Sequence, residues 1–294
     1  MRSPIKKVAA IHDLSGFGRA ALTTIIPILS SMGIQVCPLP TAVLSSNTGW
    51  FREFSFVDLT DSMEDYIEHW KKIKIEFDCI YSGFLGSAKQ VDIIIAFIKE
   101  FKTSSNIVVV DPVMGDNGKL YPTINKNIVE KMKDLVKKAD IIMPNLTEAA
   151  FLLDESYTKT LSVINEGKIK EMLEKLSDMG PEIVIITSVP DYHIQDNIDV
   201  FAYDKKNNKF WKVGCKHIQV EFPGTGDTFA SVVIGSLLNG DSLPVAIDKS
   251  VQFITLGLRE SFGFTYPHRE GILLEKILDY LKMPVINSNY ELIE

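Results

Sequence analysis

The chain has 294 residues, 46% of them hydrophobic and 23% charged, with a formal net charge of −7. That is an ordinary globular composition, long enough for one large α/β domain or two small ones. The acidity, with no long run of Lys or Arg, argues against nucleic acid or an anionic membrane as partner.

No apolar stretch approaches the ~18 residues that a bilayer span needs. The N-terminus, Met1 to Lys7, is basic, but no signal-peptide pattern follows it. Three widely spaced cysteines (Cys37, Cys79, Cys215) read as reduced thiols without metal spacing, so the expected compartment is cytoplasmic.

Short apolar runs alternate with helix-like stretches along most of the chain. Val8 to Ile11 precedes a helical pattern from Ala20 to Met32, and Gln35 to Leu39 is a second run. Cys79 to Tyr81 follows an amphipathic stretch, Met63 to Ile75. Ile107 to Val110 follows Gln90 to Phe101, Ile141 to Met143 follows Ile128 to Lys138, and Ile183 to Ile186 follows Ile169 to Met179. The runs are β-branched and do not alternate, as expected of strands buried on both faces. Strand and helix in turn predict a parallel, doubly wound sheet. After Ser188 the pattern changes. Asp199 to Tyr203, Lys209 to Gly214 and Lys216 to Phe222 read as an antiparallel meander, with a turn at Lys205 to Asn208. Helices are expected near 225–239, 243–260 and 269–281. With no internal repeat and no linker, residues 1–294 are expected to form a single domain. The polar segment Ser188 to Asp199 reads equally as a mobile flap or a plain surface loop.

Ligands of such sheets bind beyond the carboxyl ends of the strands, and the unusual residues fall there. They are His12 to Gly18, Ser82 to Ser87, Asp111 to Asp116, Pro144 to Glu148, and Thr187 with Ser188. Gly16-Phe17-Gly18-Arg19-Ala20-Ala21 matches a dinucleotide fingerprint, but that fingerprint needs an acidic residue ~20 positions on. None occurs between Asp13 and Glu53, which argues against a nicotinamide enzyme. A Walker loop and a serine-hydrolase elbow are also absent. The five histidines show no ligand or triad spacing; only His12 falls at a strand end, and the sequence assigns it no role.

The densest signal is Gly224-Thr225-Gly226-Asp227, between a β-branched segment and an apolar helix. Glycines at a helix N-terminus let backbone N–H groups approach an anion. Asp227 in the same turn suits a base that takes a proton from a hydroxyl attacking a phosphate, though Asp also simply favours helix starts. Asp111, Asp116, Asn145 and Glu148 are candidates for handling a cation. Asn145 and Glu148, three apart, read equally as a capping box.

Together these residues resemble the ribokinase-like superfamily of small-molecule kinases, and within it the pyridoxal/pyridoxamine kinase family. The resemblance runs from Val8 to about Leu281. It rests on Gly224 to Asp227, Asp111 to Asp116, Pro144 to Glu148, Ser82 to Ser87, and Val43 to Gly49. It implies a central, mostly parallel β-sheet flanked by helices on both faces, usually dimeric. It also implies ATP-dependent phosphorylation of the 5-hydroxymethyl group of pyridoxal, pyridoxamine or pyridoxine. In that reading Asp227 is the base, and the N–H groups of Gly224, Thr225, Gly226 and Asp227 form the anion hole. Asp111, Asn145, Glu148, Thr187 and Ser188 serve the nucleotide. Asp111 and Glu148 serve Mg²⁺, with a monovalent cation such as K⁺ as a further expectation. Thr48 and Phe84 line the vitamin pocket with Asp13. One departure stands out: Asp13-Leu14-Ser15-Gly16 is closer to the Asp-Pro-Ser-Gly of hydroxymethylpyrimidine kinases, so that thiamine-precursor kinase is the alternative.

Overall fold

A computed structural model describes residues 4–191, 197–216, 220–284 and 288–293. In chain order the elements begin with β1 (Lys7–Ser15), α1 (Leu22–Ser31), β2 (Gln35–Leu44), β3 (Phe56–Asp58), α2 (Thr60–Lys72), β4 (Cys79–Ser82) and α3 (Ala88–Phe101). There follow β5 (Ile107–Val110), a small hairpin of β6 (Gly115–Asp116) and β7 (Lys119–Leu120), α4 (Lys126–Val136), β8 (Ile141–Ile142), α5 (Leu146–Leu152), α6 (Tyr157–Ser162) and α7 (Glu166–Asp178). The chain continues with β9 (Ile183–Pro190), β10 (Asn197–Asp204), β11 (Lys209–Lys216), α8 (Thr225–Leu238), α9 (Leu243–Phe262) and β12 (Tyr290–Ile293).

The chain divides into two compact units, one of Met1–Gly83 with Ile218–Ser288, the other of Phe84–His217 with Asn289–Glu294. In the first, the strand order is β4-β1-β2-β3, parallel except for β2 against β3. Val8, Ala9, Ala10 and Ile11 of β1 are fully buried, as a strand covered on both faces must be. In the second, β5, β8 and β9 pair in parallel, and β10, β11 and β12 add antiparallel. The expected α/β class therefore holds, with parallel strands at the core and antiparallel strands at the edges. Among the described residues no helix is long and apolar enough to cross a membrane.

Four differences from the sequence reading have local causes. β2 runs to Leu44, through Pro38 and Pro40. Among the described residues, the prolines sit where β1 is its only partner, since β3 pairs only Ala42 to Leu44, so the missing N–H groups are tolerated as on an edge strand. Of the meander's expected third strand, Lys216 belongs to β11, residues 217–219 lie outside the described part and 220–222 form no strand; β12 pairs with β11. The final helix is replaced by short 3₁₀ turns at His268–Glu270, Leu274–Lys276 and Leu278–Lys282. There Gly271 has φ +83°, and a Cβ on it would lie 2.8 Å from Arg19, so the segment breaks to pack on that residue. Of the 188–199 flap, residues 192–196 lie outside the described part; β9 and β10 account for its ends.

α8 is apolar all round, and every residue from Thr228 to Ser236 is buried, which marks it as an interior helix. In the second unit, Phe97 of α3 is almost fully buried and stacks on Phe101, ring centroids 4.5 Å apart. Phe97→Ala is expected to cost about 3–5 kcal/mol, read as a lower denaturant midpoint at unchanged slope.

Candidate active site

In the first unit, three segments far apart in sequence lock together where β1 ends. Gly224 caps α8 in the left-handed conformation, φ +78°, and a Cβ there would lie 2.1 Å from the Arg19 carbonyl oxygen. Only glycine fits. Arg19 is tied in turn: its N–H donates to the Glu270 carbonyl (2.9 Å) and its Nε to the Glu275 carboxylate (2.9 Å). Thr228 donates both its N–H (2.9 Å) and its Oγ1 (2.8 Å) to the Gly224 carbonyl, which closes the first turn of α8. The N–H groups that precede Thr228, those of Thr225, Gly226 and Asp227, have no acceptor inside the helix. Beside them a Cβ on Gly226 would meet nothing within 4 Å. This is an open helix N-terminus able to take an anion.

Asp227 stands in the same turn, its side chain 18% exposed. Oδ2 accepts the Ala21 N–H at 2.7 Å, while Oδ1 lies 3.9 Å from His12 Nδ1. Burial pushes the carboxyl up to about 6, helped by the charge of Asp13 and opposed by the Ala21 hydrogen bond. Ala21 has φ +50° and ψ −134°, a strained conformation for a residue with a side chain, and it is the N-cap of α1. Asp13 is buried, Oδ2 accepts from Ser15 Oγ at 2.8 Å, and burial raises its pKa too.

Gly16 donates its N–H to the Leu44 carbonyl (2.8 Å), and a Cβ on Gly18 would sit 3.2 Å from Asn47 Nδ2. The Gly-x-Gly of this loop therefore packs the Asp13 segment against the segment carrying Thr48. Thr48 itself is half-buried, beside Asn47, whose Oδ1 accepts from the Trp50 N–H.

The second unit carries the other expected residues. Asp111 directly follows β5 and is buried. Asn145 and Glu148 form a capping box at the start of α5. The Asn145 side chain accepts from the Glu148 N–H (2.9 Å) and donates to the Gly115 carbonyl (2.9 Å). The Glu148 carboxylate accepts from Met114 N–H (3.0 Å) and Asn145 N–H (2.9 Å). Burial nonetheless raises Glu148 to about 8, against these bonds and with a contribution from the Asp116 charge. Gly118 donates to Thr147 Oγ1 (3.0 Å), completing the stitch between loop and helix. Thr187 donates its N–H to the Pro144 carbonyl (3.0 Å) and bridges to Asn145. Ser188, next to it, is exposed with φ +57°. Phe84 is half-buried on the loop before α3.

Asp111, Asp116 and Glu148 are the donors available to a divalent cation here. Among the described residues no group of three or more His, Cys, Asp or Glu could hold a metal. That donor set fits Mg²⁺ carried by a phosphate ligand, which keeps waters and needs only one or two carboxylates. It does not make a resident metal cage. The sequence reading missed the Ala21 N–H, Thr147 and any use of His12. Only His12 had a signal, its place beside Asp13.

The sequence pattern of the phosphomethylpyrimidine kinase family matches residues 18–270. Pyridoxal kinase of Dictyostelium discoideum is 26% identical, over 96% of this chain and 94% of its own length. A Bacteroides thetaiotaomicron protein described as a phosphomethylpyrimidine kinase, in an orthorhombic crystal form with pyridoxal, is 52% identical with TM-score 0.94, over 98% of this chain and 100% of that one. Pyridoxal kinase of Lactobacillus plantarum is 28% identical with TM-score 0.85, over 95% of this chain and 97% of that one.

The raised Asp227 pKa has a consequence for stability. A carboxyl whose folded pKa (about 6) lies above its ordinary 3.8 favours folding fully below pH 3.8, and that contribution is lost as pH rises through 6. Asp227→Asn is expected to leave stability at pH 3.5 nearly unchanged and to raise it by about 3 kcal/mol at pH 8. Thermal unfolding of both proteins at the two pH values is the check.

Proposed function

We propose that this chain, which belongs to the phosphomethylpyrimidine kinase family, phosphorylates the 5-hydroxymethyl group of a B6 vitamer with ATP. The observation that carries the reading is Asp227: a carboxylate with one oxygen pinned by a backbone N–H and the other free, at an open helix N-terminus. A relative crystallised with pyridoxal supports the choice of substrate.

In this mechanism the hydroxyl of the vitamer gives its proton to Asp227 Oδ1, and its oxygen bonds to the γ-phosphorus. The bond from that phosphorus to the β,γ-bridging oxygen breaks, and ADP leaves with the electron pair. The N–H groups of Gly224 to Asp227 stabilise charge on the transferring phosphoryl. A base with pKa near 6 is ionised at neutral pH and still basic enough to accept the proton. Asp111, Asn145, Glu148, Thr187 and Ser188 serve the nucleotide. Asp111 and Glu148 are the carboxylates that would serve a phosphate-carried Mg²⁺, which would supply further charge neutralisation. The backbone bonds on Glu148 suit an indirect role, through water. Thr48 and Phe84 serve the vitamer ring. By the family resemblance the enzyme is a homodimer and uses a monovalent cation such as K⁺, and its widely spaced, reduced cysteines favour the cytoplasm.

ATP-dependent phosphorylation of pyridoxal, pyridoxamine, pyridoxine and hydroxymethylpyrimidine, run in parallel with Mg²⁺ and K⁺, tests the substrate. A B6 vitamer is expected to have the highest kcat/KM. Asp227→Asn is expected to lower kcat by roughly 10²–10⁴-fold with nucleotide binding kept; retained turnover removes Asp227 as the base.

Asp13 favours a second reading, a hydroxymethylpyrimidine kinase. It is a buried acceptor already bonded to Ser15. The Asp13 carboxylate would give the pyrimidine's exocyclic amine a charge-assisted acceptor; a serine there accepts only as a weaker neutral group, but it could donate to the 3-oxygen of a vitamer. Asp13→Ser is therefore expected to reduce kcat/KM for the pyrimidine roughly tenfold more than for pyridoxamine. An unchanged ratio of efficiencies in a competition assay excludes Asp13 as the discriminating residue.

A further inference from the structure

His12 is fully buried, and among the described residues neither ring nitrogen has a hydrogen-bond partner. Such an arrangement is costly: each unsatisfied polar atom loses its hydration without replacement. An apolar ring would fill the same space without that loss. The ring is also fixed. It packs edge-on against Tyr81, centroids 4.4 Å apart, and lies so close over Gly83 that a Cβ there would be 2.0 Å from Cε1. Gly83 therefore leaves room for the imidazole. In that position Nδ1 lies 3.9 Å from Asp227 Oδ1.

The separation is too long for a hydrogen bond, but bonds at catalytic groups often tighten only with substrate bound. Oδ1 is the oxygen that matters, because Ala21 already holds Oδ2. We propose that His12 is a positioning residue for Asp227: its neutral imidazole donates Nδ1–H to Oδ1 in the substrate complex, directing that oxygen at the hydroxyl and favouring the ionised base. The inference rests on Asp227 as the base.

The groups facing Asp227 are few. His12 and Asp13 come from β1, the Ala21 N–H from the start of α1, and the free N–H groups from the first turn of α8. Arg19 is engaged by Glu275 and the Glu270 carbonyl. Burial pushes His12 down to about 3, so the ring stays neutral and acts through one N–H dipole. The carboxylate selects the tautomer that presents the N–H on Nδ1.

Two variants and one direct measurement test this. His12→Phe keeps a ring over Gly83 and removes both nitrogens. His12→Asn keeps an N–H near the Nδ1 position. For His12→Phe, kcat is expected to fall roughly tenfold with both KM values within about twofold, since ground-state binding is untouched. The acidic limb of its kcat profile, which reports the base in the substrate complex, is expected at higher pH, because the base loses a donor that favours its ionised form. His12→Asn is expected to restore most of both. A His12→Phe enzyme with the parent's profile and kcat, or an Asn variant no better than Phe, overturns the proposal. If His12→Phe does not fold, ¹⁵N shifts of His12 in the parent with a vitamer and a non-hydrolysable nucleotide decide. Protonated Nδ1 supports the proposal and protonated Nε2 overturns it. Failure of Asp227 as the base is recognised separately, by turnover retained in Asp227→Asn.

Discussion

The contact between the Arg19–Ala21 segment and the Gly224–Asp227 turn is the constraint on which the catalytic reading depends. The turn can approach only because Gly224 has no side chain to meet the Arg19 carbonyl. The approach brings the Ala21 N–H to 2.7 Å from Asp227 Oδ2, with Ala21 in a conformation that glycine would take more easily. Strain at Ala21 and the burial of Asp227 are two costs of one arrangement. What they secure is a carboxylate with one oxygen immobile and its pKa moved towards neutrality, a common pattern at catalytic positions. Gly271, packed on Arg19 from the other side, explains why the tail of the chain forms tight turns there instead of a helix.

A similar economy holds at α5 in the other unit. The choice between capping box and cation handling, open in the sequence, is not exclusive. The capping bonds are present, and they order the Met114–Gly118 loop by using both oxygens of Glu148. A carboxyl so occupied has little left for direct coordination, and because its charge is costly where it is buried its pKa is raised to about 8. An approaching cation would lower that cost, which connects cation binding to loop order without a further ligand.

How far the sequence could be read follows from how local each signal is. Gly224 to Asp227, Asn145 with Glu148, and the helices from α1 to α4 announce themselves within a few residues, through glycines, caps and 3.6-residue periodicity. The extension of β2 through two prolines did not, because it depends on how far β3 reaches along its other side. β12 was invisible for the same reason: residues 290–293 become a strand only beside β11. The Ala21 N–H has no side-chain signature at all. His12 was visible as a residue but not as an oddity, since an unsatisfied nitrogen is a property of the surroundings.

Asp13 connects substrate charge to the strength of the base. Its carboxylate is one of the causes that raise Asp227, and burial raises its own pKa as well. Two carboxyls in this relation resist being ionised together. A ring carrying a positive charge beside Asp13 would cancel the repulsion and lower the pKa of Asp227, so that the base stays ionised to lower pH with that ring bound. A neutral ring would leave the repulsion in place and the base partly protonated near pH 6. Discrimination between rings would then appear in kcat as well as in KM, because the ring would be sensed through the base and not only through the pocket wall.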